Sequence, residues 1–160
     1  MMKILFILLI LFTTANQAFS ENPDNCSKSE NFVTRVIDGD TIEIETGDLI
    51  RILGIDAYDS SNSRMIGKQI IRTGYKHHKV KFLGQKATSF AIDNLLHKCV
   101  TLLKDKKNKG AYNRLLRYVM INDRDYQLMI LRENLANVYC GDKKIKNYQK
   151  YLKFSKFKCN

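Results

Sequence analysis

Asp40 and Asp56 are the side chains of this sequence best suited to share a cation. Asp40 closes the turn Asp38-Gly39-Asp40 between two strand-like runs. Asp56 ends the following run, directly after Leu53-Gly54-Ile55, and Asp59 comes three residues later. An Asp-Gly turn alone says little, because it is among the commonest hairpin turns. If the flanking runs pair, however, Asp40 and Asp56 meet at one end of a sheet, where two carboxylates repel unless a cation or proton lies between them. Hard oxygen donors, completed by a backbone carbonyl and water, are what Ca²⁺ takes. Arg51 lies on the run that ends at Asp56, and Arg114 follows a basic turn. Either arginine alone reads as a surface ion pair. Beside a carboxylate-bound cation, two guanidinium groups make a clamp for phosphate, since the planar fork gives paired hydrogen bonds and keeps its charge.

The elements that must position these groups can be read from the residue pattern. Residues 32–37, 41–45 and 49–55 alternate apolar and polar side chains between turn signals, which predicts a three-stranded meander. Residues 60–82 are polar and basic, and read as a long mobile excursion. From Gln85 a helix is predicted with Ala87, Phe90, Ala91 and Leu95 on one face. Short strands are expected at 100–103 and 114–121 on either side of a basic turn, and a second helix at 126–133, with Asn134 suited to its left-handed cap. A third helix over 143–158 carries Ile145, Tyr148, Leu152 and Ser155 at helical spacing. This order suits an α+β domain: a five-stranded Greek-key β-barrel of the OB type with three α-helices. Such barrels offer a face and its loops to nucleic acid.

Charge and cysteines bound the setting. The chain has 160 residues and a net charge of +11, which favours a polyanionic partner. Lys3 followed by the apolar run 4–12 and Ala18-Phe19-Ser20 reads as an export signal over residues 1–20, too short an apolar run to span a bilayer. A loose lead-in at 21–31 and one domain at 32–160 would follow. The expected product is a secreted or periplasmic protein without stable membrane insertion, acting as a monomer. Cys26, Cys99, Cys140 and Cys159 then predict two disulfides, of open connectivity. No CxxC pair supports zinc, and His77-His78 reads as an exposed pair outside the site.

The runs Val36-Ile37-Asp38-Gly39-Asp40-Thr41, Ile50-Arg51-Ile52-Leu53-Gly54-Ile55-Asp56 and Tyr112-Asn113-Arg114-Leu115 together resemble the staphylococcal nuclease (thermonuclease) family. Gly84-Gln85-Lys86-Ala87 and Glu133-Asn134-Leu135-Ala136-Asn137-Val138-Tyr139 extend the resemblance, in order, over residues 32–158. It implies Asp40, Asp56 and the Ala57 carbonyl as Ca²⁺ ligands, Asp38 acting on the metal through water, Arg51 and Arg114 on the scissile phosphate, and Tyr112 against the substrate. It implies Asp59 as the carboxylate that orients or deprotonates the attacking water. The substrates implied are DNA and RNA, cut to leave 3′-phosphates. The sequence departs from the family at Ala57 (threonine), Tyr58 (proline), Asp59 (glutamate), Ala111 (lysine) and Asn113 (glycine). Two other readings remain: a non-catalytic nucleic-acid-binding module on the same barrel, and a membrane-surface protein using the basic terminal helix.

Overall fold

Gly54 decides the path of the chain near the carboxylates. It adopts φ +81, where a side chain would be strained, and a Cβ there would meet the Tyr151 ring at 2.7 Å. The run predicted as one strand over 49–55 therefore breaks into two, β3 (Leu49–Ile52) and β4 (Ile55–Ala57). The structure, a computed structural model, describes residues 26, 30–157 and 159. The export signal at 1–20 and most of the lead-in lie outside the described residues.

β1 (Val33–Asp38), β2 (Thr41–Ile44) and β3 form the expected antiparallel meander, with Thr41 opposite Arg51. β3 then pairs in parallel with β6 (Leu115–Ile121), which pairs antiparallel with β5 (Thr101–Lys109). The order β1-β2-β3-β6-β5 is a curled, five-stranded half-barrel, and the short β7 (Arg124–Asp125) folds back on β6. β4 leaves this sheet and pairs with β8 (Ala136–Val138), Asp56 standing opposite Asn137. The α+β barrel architecture read from the pattern is thus present. The basic turn expected after residue 103 is instead the outer half of β5, whose lysines point into solvent from a mostly exposed strand.

The excursion read at 60–82 is largely helical. α1 (Ser63–Thr73) starts on Asn62, whose side chain accepts hydrogen bonds from the amides of Arg64 and Met65. It ends at Gly74 in the left-handed conformation. α2 (His77–Leu95) begins well before Gln85, and Gly84 lies within it. A Cβ on Gly84 would stand 2.5 Å from the Asp59 carbonyl oxygen, so the missing side chain lets α2 lie against the backbone that follows β4. α3 (Tyr126–Arg132) and the positive φ of Asn134 follow the predicted pattern. α4 (Tyr148–Leu152) is shorter than the predicted terminal helix.

Ile42, Ile50, Ile52, Ile55, Ile130 and Leu131 are essentially inaccessible and fill the space between sheet and helices with Ala87, Ala91 and Leu95. Burying one such aliphatic side chain stabilises by about 1.5–3 kcal/mol. Ile66 of α1 joins Tyr58 and Val80 in a second, smaller cluster. Tyr148 and Tyr151 of the terminal helix are buried, as is Ile145 before it, so these side chains pack into the core. No helix among the described residues is long and apolar enough to cross a membrane. Both expected disulfides are present, Cys26–Cys99 and Cys140–Cys159.

Candidate active site

The turn between β1 and β2 is built to bury a carboxylate. Asp38 Oδ1 accepts the Asp40 amide at 2.9 Å, which closes the turn. From α3, the buried Tyr126 hydroxyl donates to the Gly39 carbonyl at 2.9 Å and fixes the turn from below. A Cβ on Gly39 would stand 2.7 Å from that of Ala57, so glycine brings the turn against β4. Asp40 is thereby 6% exposed, and its Oδ2 accepts the Ala57 amide at 2.7 Å.

Arg51 joins the two carboxylates. Its Nη1 lies 2.9 Å from Asp40 Oδ1 and its Nη2 4.0 Å from Asp56 Oδ1. Nη1 also donates to the Ile52 carbonyl, and Nη2 to that of Ile55, each at 3.0 Å. None of these bonds involves Nε. Asp56 is 7% exposed on β4, and its Oδ2 is held at 2.7 Å by Nη1 of Arg72 from α1. Burial pushes the Asp40 carboxyl well above the ordinary carboxylate range; Arg51 pulls it back, while Asp38 and Asp56 push it higher.

Asp59 stands where the chain turns from β4 toward α1. Its Oδ1 accepts the amides of Ser61 and Asn62 at 2.9 and 2.8 Å, and Oδ2 takes no part in that turn. Arg114 opens β6, its Nη1 3.5 Å from Thr41 Oγ1 and its guanidinium 5.7 Å from the Tyr112 ring centre. Tyr112 is 88% exposed at φ 59. All eight residues singled out from the sequence (Asp38, Asp40, Arg51, Asp56, Ala57, Asp59, Tyr112 and Arg114) line one cleft of about 410 Å³. It adjoins a second, of about 510 Å³, that shares Arg51, Asp56 and Arg114 and reaches Tyr139.

α1 supplies what the sequence reading lacked. Asn62, Arg64, Met65, Lys68 and Gln69 line the cleft, and Arg72 reaches Asp56. The signal was present, since Asn62 and Gly74 bracket a helix of eleven residues. It was masked because its inward face carries Gln69 and Arg72, while the apolar Ile71 is 88% exposed.

Among the described residues, no three His, Cys, Asp or Glu side chains converge as a metal cage. The donors fit a hard cation nevertheless. Two buried carboxylates and the Ala57 carbonyl are oxygen ligands of the type Ca²⁺ prefers, and water completes such shells. The upward push on Asp40 from Asp38 and Asp56 is a repulsion that a bound cation would relieve.

Comparison with known proteins agrees with this geometry. The family model described as "Staphylococcal nuclease homologue" matches residues 49–158, which takes in Arg51, Asp56, Ala57, Asp59, Tyr112 and Arg114. A thermonuclease of Staphylococcus hyicus is 30% identical over 133 residues, covering 82% of this chain and 73% of that protein. A thermonuclease of Staphylococcus intermedius is 28% identical over 130 residues, covering 81% and 71%. The half-barrel, the cleft and these matches agree, and the chain belongs to the family of staphylococcal nuclease homologues.

Proposed function

We propose that this protein is an exported, Ca²⁺-dependent nuclease that hydrolyses phosphodiester bonds of DNA and RNA and leaves 3′-phosphates. The observation that carries the proposal is the convergence of all eight candidate residues on one cleft, with two buried carboxylates bridged by an arginine. Asp40, Asp56 and the Ala57 carbonyl would hold the cation, and Asp38 would act on its water shell. When bound, Ca²⁺ supplies positive charge against the phosphate oxygens.

The protein's own groups do the rest. Arg51 and Arg114 bind the non-bridging oxygens of the scissile phosphate and stabilise charge as it grows there. The exposed Tyr112, with Arg114 over its ring, rests against the adjoining nucleotide. Asp59 holds a water on the face opposite the leaving oxygen and accepts its proton. The water oxygen bonds to phosphorus, the bond to the 5′ oxygen breaks, and that oxygen takes a proton from solvent water and leaves as a hydroxyl. One fragment ends in a 3′-phosphate and the other in a 5′-hydroxyl.

Work outside the cytoplasm is supported by the paired cysteines and by the export signal read in the sequence. The net charge of +11 suits a polyanionic substrate, whose binding should weaken steeply with salt as counterions are released. The test is hydrolysis of an end-labelled oligonucleotide with excess chelator and then with Ca²⁺ restored. Activity should vanish and return, and phosphatase should remove the new 3′ ends. Cleavage unchanged by chelator would overturn the metal assignment, and binding without cleavage would leave the nucleic-acid-binding module.

A further inference from the structure

Gln69 is the one uncharged polar side chain of α1 that is fully enclosed, at 1% exposure. An enclosed primary amide is costly unless its donors and acceptor are used. Gln69 uses them on two specific backbone groups. Its Nε2 donates to the Ala57 carbonyl at 2.8 Å, and its Oε1 accepts the Asp59 amide at 2.9 Å. These groups flank Tyr58, so the side chain bridges the backbone there as a neighbouring strand would.

The bridge lies where ordinary pairing runs out. Ala57 is paired to Ala136 of β8, and the Tyr58 amide still reaches the Leu135 carbonyl at 3.0 Å. Beyond Tyr58 the backbone leaves the sheet. The next fixed points are Gln69 and the turn closed by the Asp59 carboxylate on Ser61 and Asn62. Gln69 is itself held in place, since Thr73 Oγ1 donates to its carbonyl at 2.7 Å and Ile66 of the same helix packs beside Tyr58.

We propose that Gln69 is a positioning residue of the nuclease site: it aims the Ala57 carbonyl toward the cation and fixes Asp59 relative to it. This rests on the metal reading given above. A carbonyl oxygen has two lone pairs, and a hydrogen bond that occupies one sets the direction offered by the other. One side chain thus sets a proposed metal ligand and the group proposed to hold the water, and Arg72, one turn further along α1, holds Asp56. Partners that orient metal ligands typically contribute about 10–100-fold in affinity or activity.

The test is Gln69→Met, which keeps the volume and removes both hydrogen bonds. Ca²⁺ affinity is read by calorimetry without substrate, and kcat and KM with an oligonucleotide at saturating Ca²⁺. We expect the Ca²⁺ Kd to rise at least about tenfold and kcat to fall by a similar factor, with KM within roughly twofold. A lower melting temperature in chelator with unchanged Ca²⁺ Kd and unchanged kcat would make Gln69 purely structural and overturn the proposal. If the variant does not fold, the unaltered protein still decides. The Gln69 side-chain amide resonance should move with Ca²⁺ along the binding isotherm, and a resonance insensitive to bound Ca²⁺ overturns the proposal. Absence of any Ca²⁺ binding by the unaltered protein would instead overturn the metal reading, and this role with it.

Discussion

Two clusters of hydrogen-bonded carboxylates lie in this small barrel, and their surroundings shift the carboxyls in opposite directions. On β5, Asp105 accepts the Tyr118 hydroxyl at 2.6 Å and the amides of Lys146 and Lys106 at 2.8 and 2.7 Å. Tyr151 donates to Asp125, which also pairs with Lys150 at 2.9 Å and accepts the Leu128 amide at the start of α3. Burial acts against the Asp105 charge, yet these hydrogen bonds outweigh it and hold the carboxyl below its usual range. In the cleft the balance is reversed. Asp40 is pushed well above that range, and Nε and Nη2 of Arg72 are buried without a hydrogen-bond partner. The first cluster closes its own accounts and ties the terminal segment to the sheet. In the second, burial and the acidic neighbours outweigh Arg51 and keep Asp40 perturbed, which is common where side chains serve chemistry.

The sharpest way to break this contrast is to neutralise one carboxylate at a time. Asp40→Asn should lower the hydrolysis rate by at least about 10²–10³-fold. Thermal stability in chelator should change little, because loss of the ion pair with Arg51 is offset by relief of the burial and repulsion that the Asp40 charge bears. Oligonucleotide cleavage and melting curves on the same preparation check this, and a large loss of stability would put Asp40 in the structural class.

Next in size is Arg72→Met, which leaves Asp56 with only the more distant Arg51. Metal-free stability should fall by about 1–3 kcal/mol, read by urea unfolding in chelator. Ca²⁺ should bind roughly tenfold more tightly, since a like charge beside its ligand is gone. Weaker binding in this variant would show that holding Asp56 in place outweighs the charge.

A smaller effect is expected at the satisfied cluster. Asp105→Asn should cost about 1–2 kcal/mol near neutral pH while leaving kcat unchanged. The sign with pH follows from the lowered carboxyl: its contribution is present above the unfolded value near 4 and is lost as pH falls through the folded one. The gap between variant and wild type in urea midpoint should therefore shrink toward acid. A gap that widens would mean that Asp105 is not held as an anion by its partners.

The difference between the clusters also explains what the sequence could tell. Alternation and turn residues make the meander legible, and the Asp-Gly-Asp turn, Arg51 and Arg114 read as a set because two arginines beside a carboxylate-bound cation make a phosphate clamp. α1 was not legible as part of the site. Ile66 and Ile70 do keep a helical spacing on its packed face, but Gln69 and Arg72, which serve the Ala57 carbonyl and Asp56, sit among polar and basic residues that read as loop. β5 was cut short for a related reason. Its lysine-rich half is exposed, and nothing apolar marks its outer end. The single strand predicted over 49–55 missed a break that depends on the Tyr151 ring and Ile145, both far away in sequence.

The smallest expected effect comes from Asp59→Glu, and it asks whether Asp59 belongs to both classes at once. Its Oδ1 closes the turn before α1 on the amides of Ser61 and Asn62, a structural duty, while the proposed chemistry needs a negative charge near the water. Glutamate keeps the charge and gains about one bond length of reach, but its carboxylate stands too far from its own backbone to hold both amides of so short a turn. Asparagine does the reverse, since its amide oxygen can accept the same two bonds without the charge. If the turn sets the position of the charge, Asp59→Glu should lower kcat by no more than about fivefold, an effect of roughly 1 kcal/mol. Asp59→Asn should then lower it by about 10²-fold with the melting temperature kept. Single-turnover cleavage at saturating Ca²⁺ separates these from changes in metal affinity. Higher turnover in Asp59→Glu would mean that reach, not the turn, limits the wild-type protein. Equal rates for wild type and Asp59→Asn would remove Asp59 from the chemistry and leave it as the residue that closes the turn before α1, in the same class as Asp105.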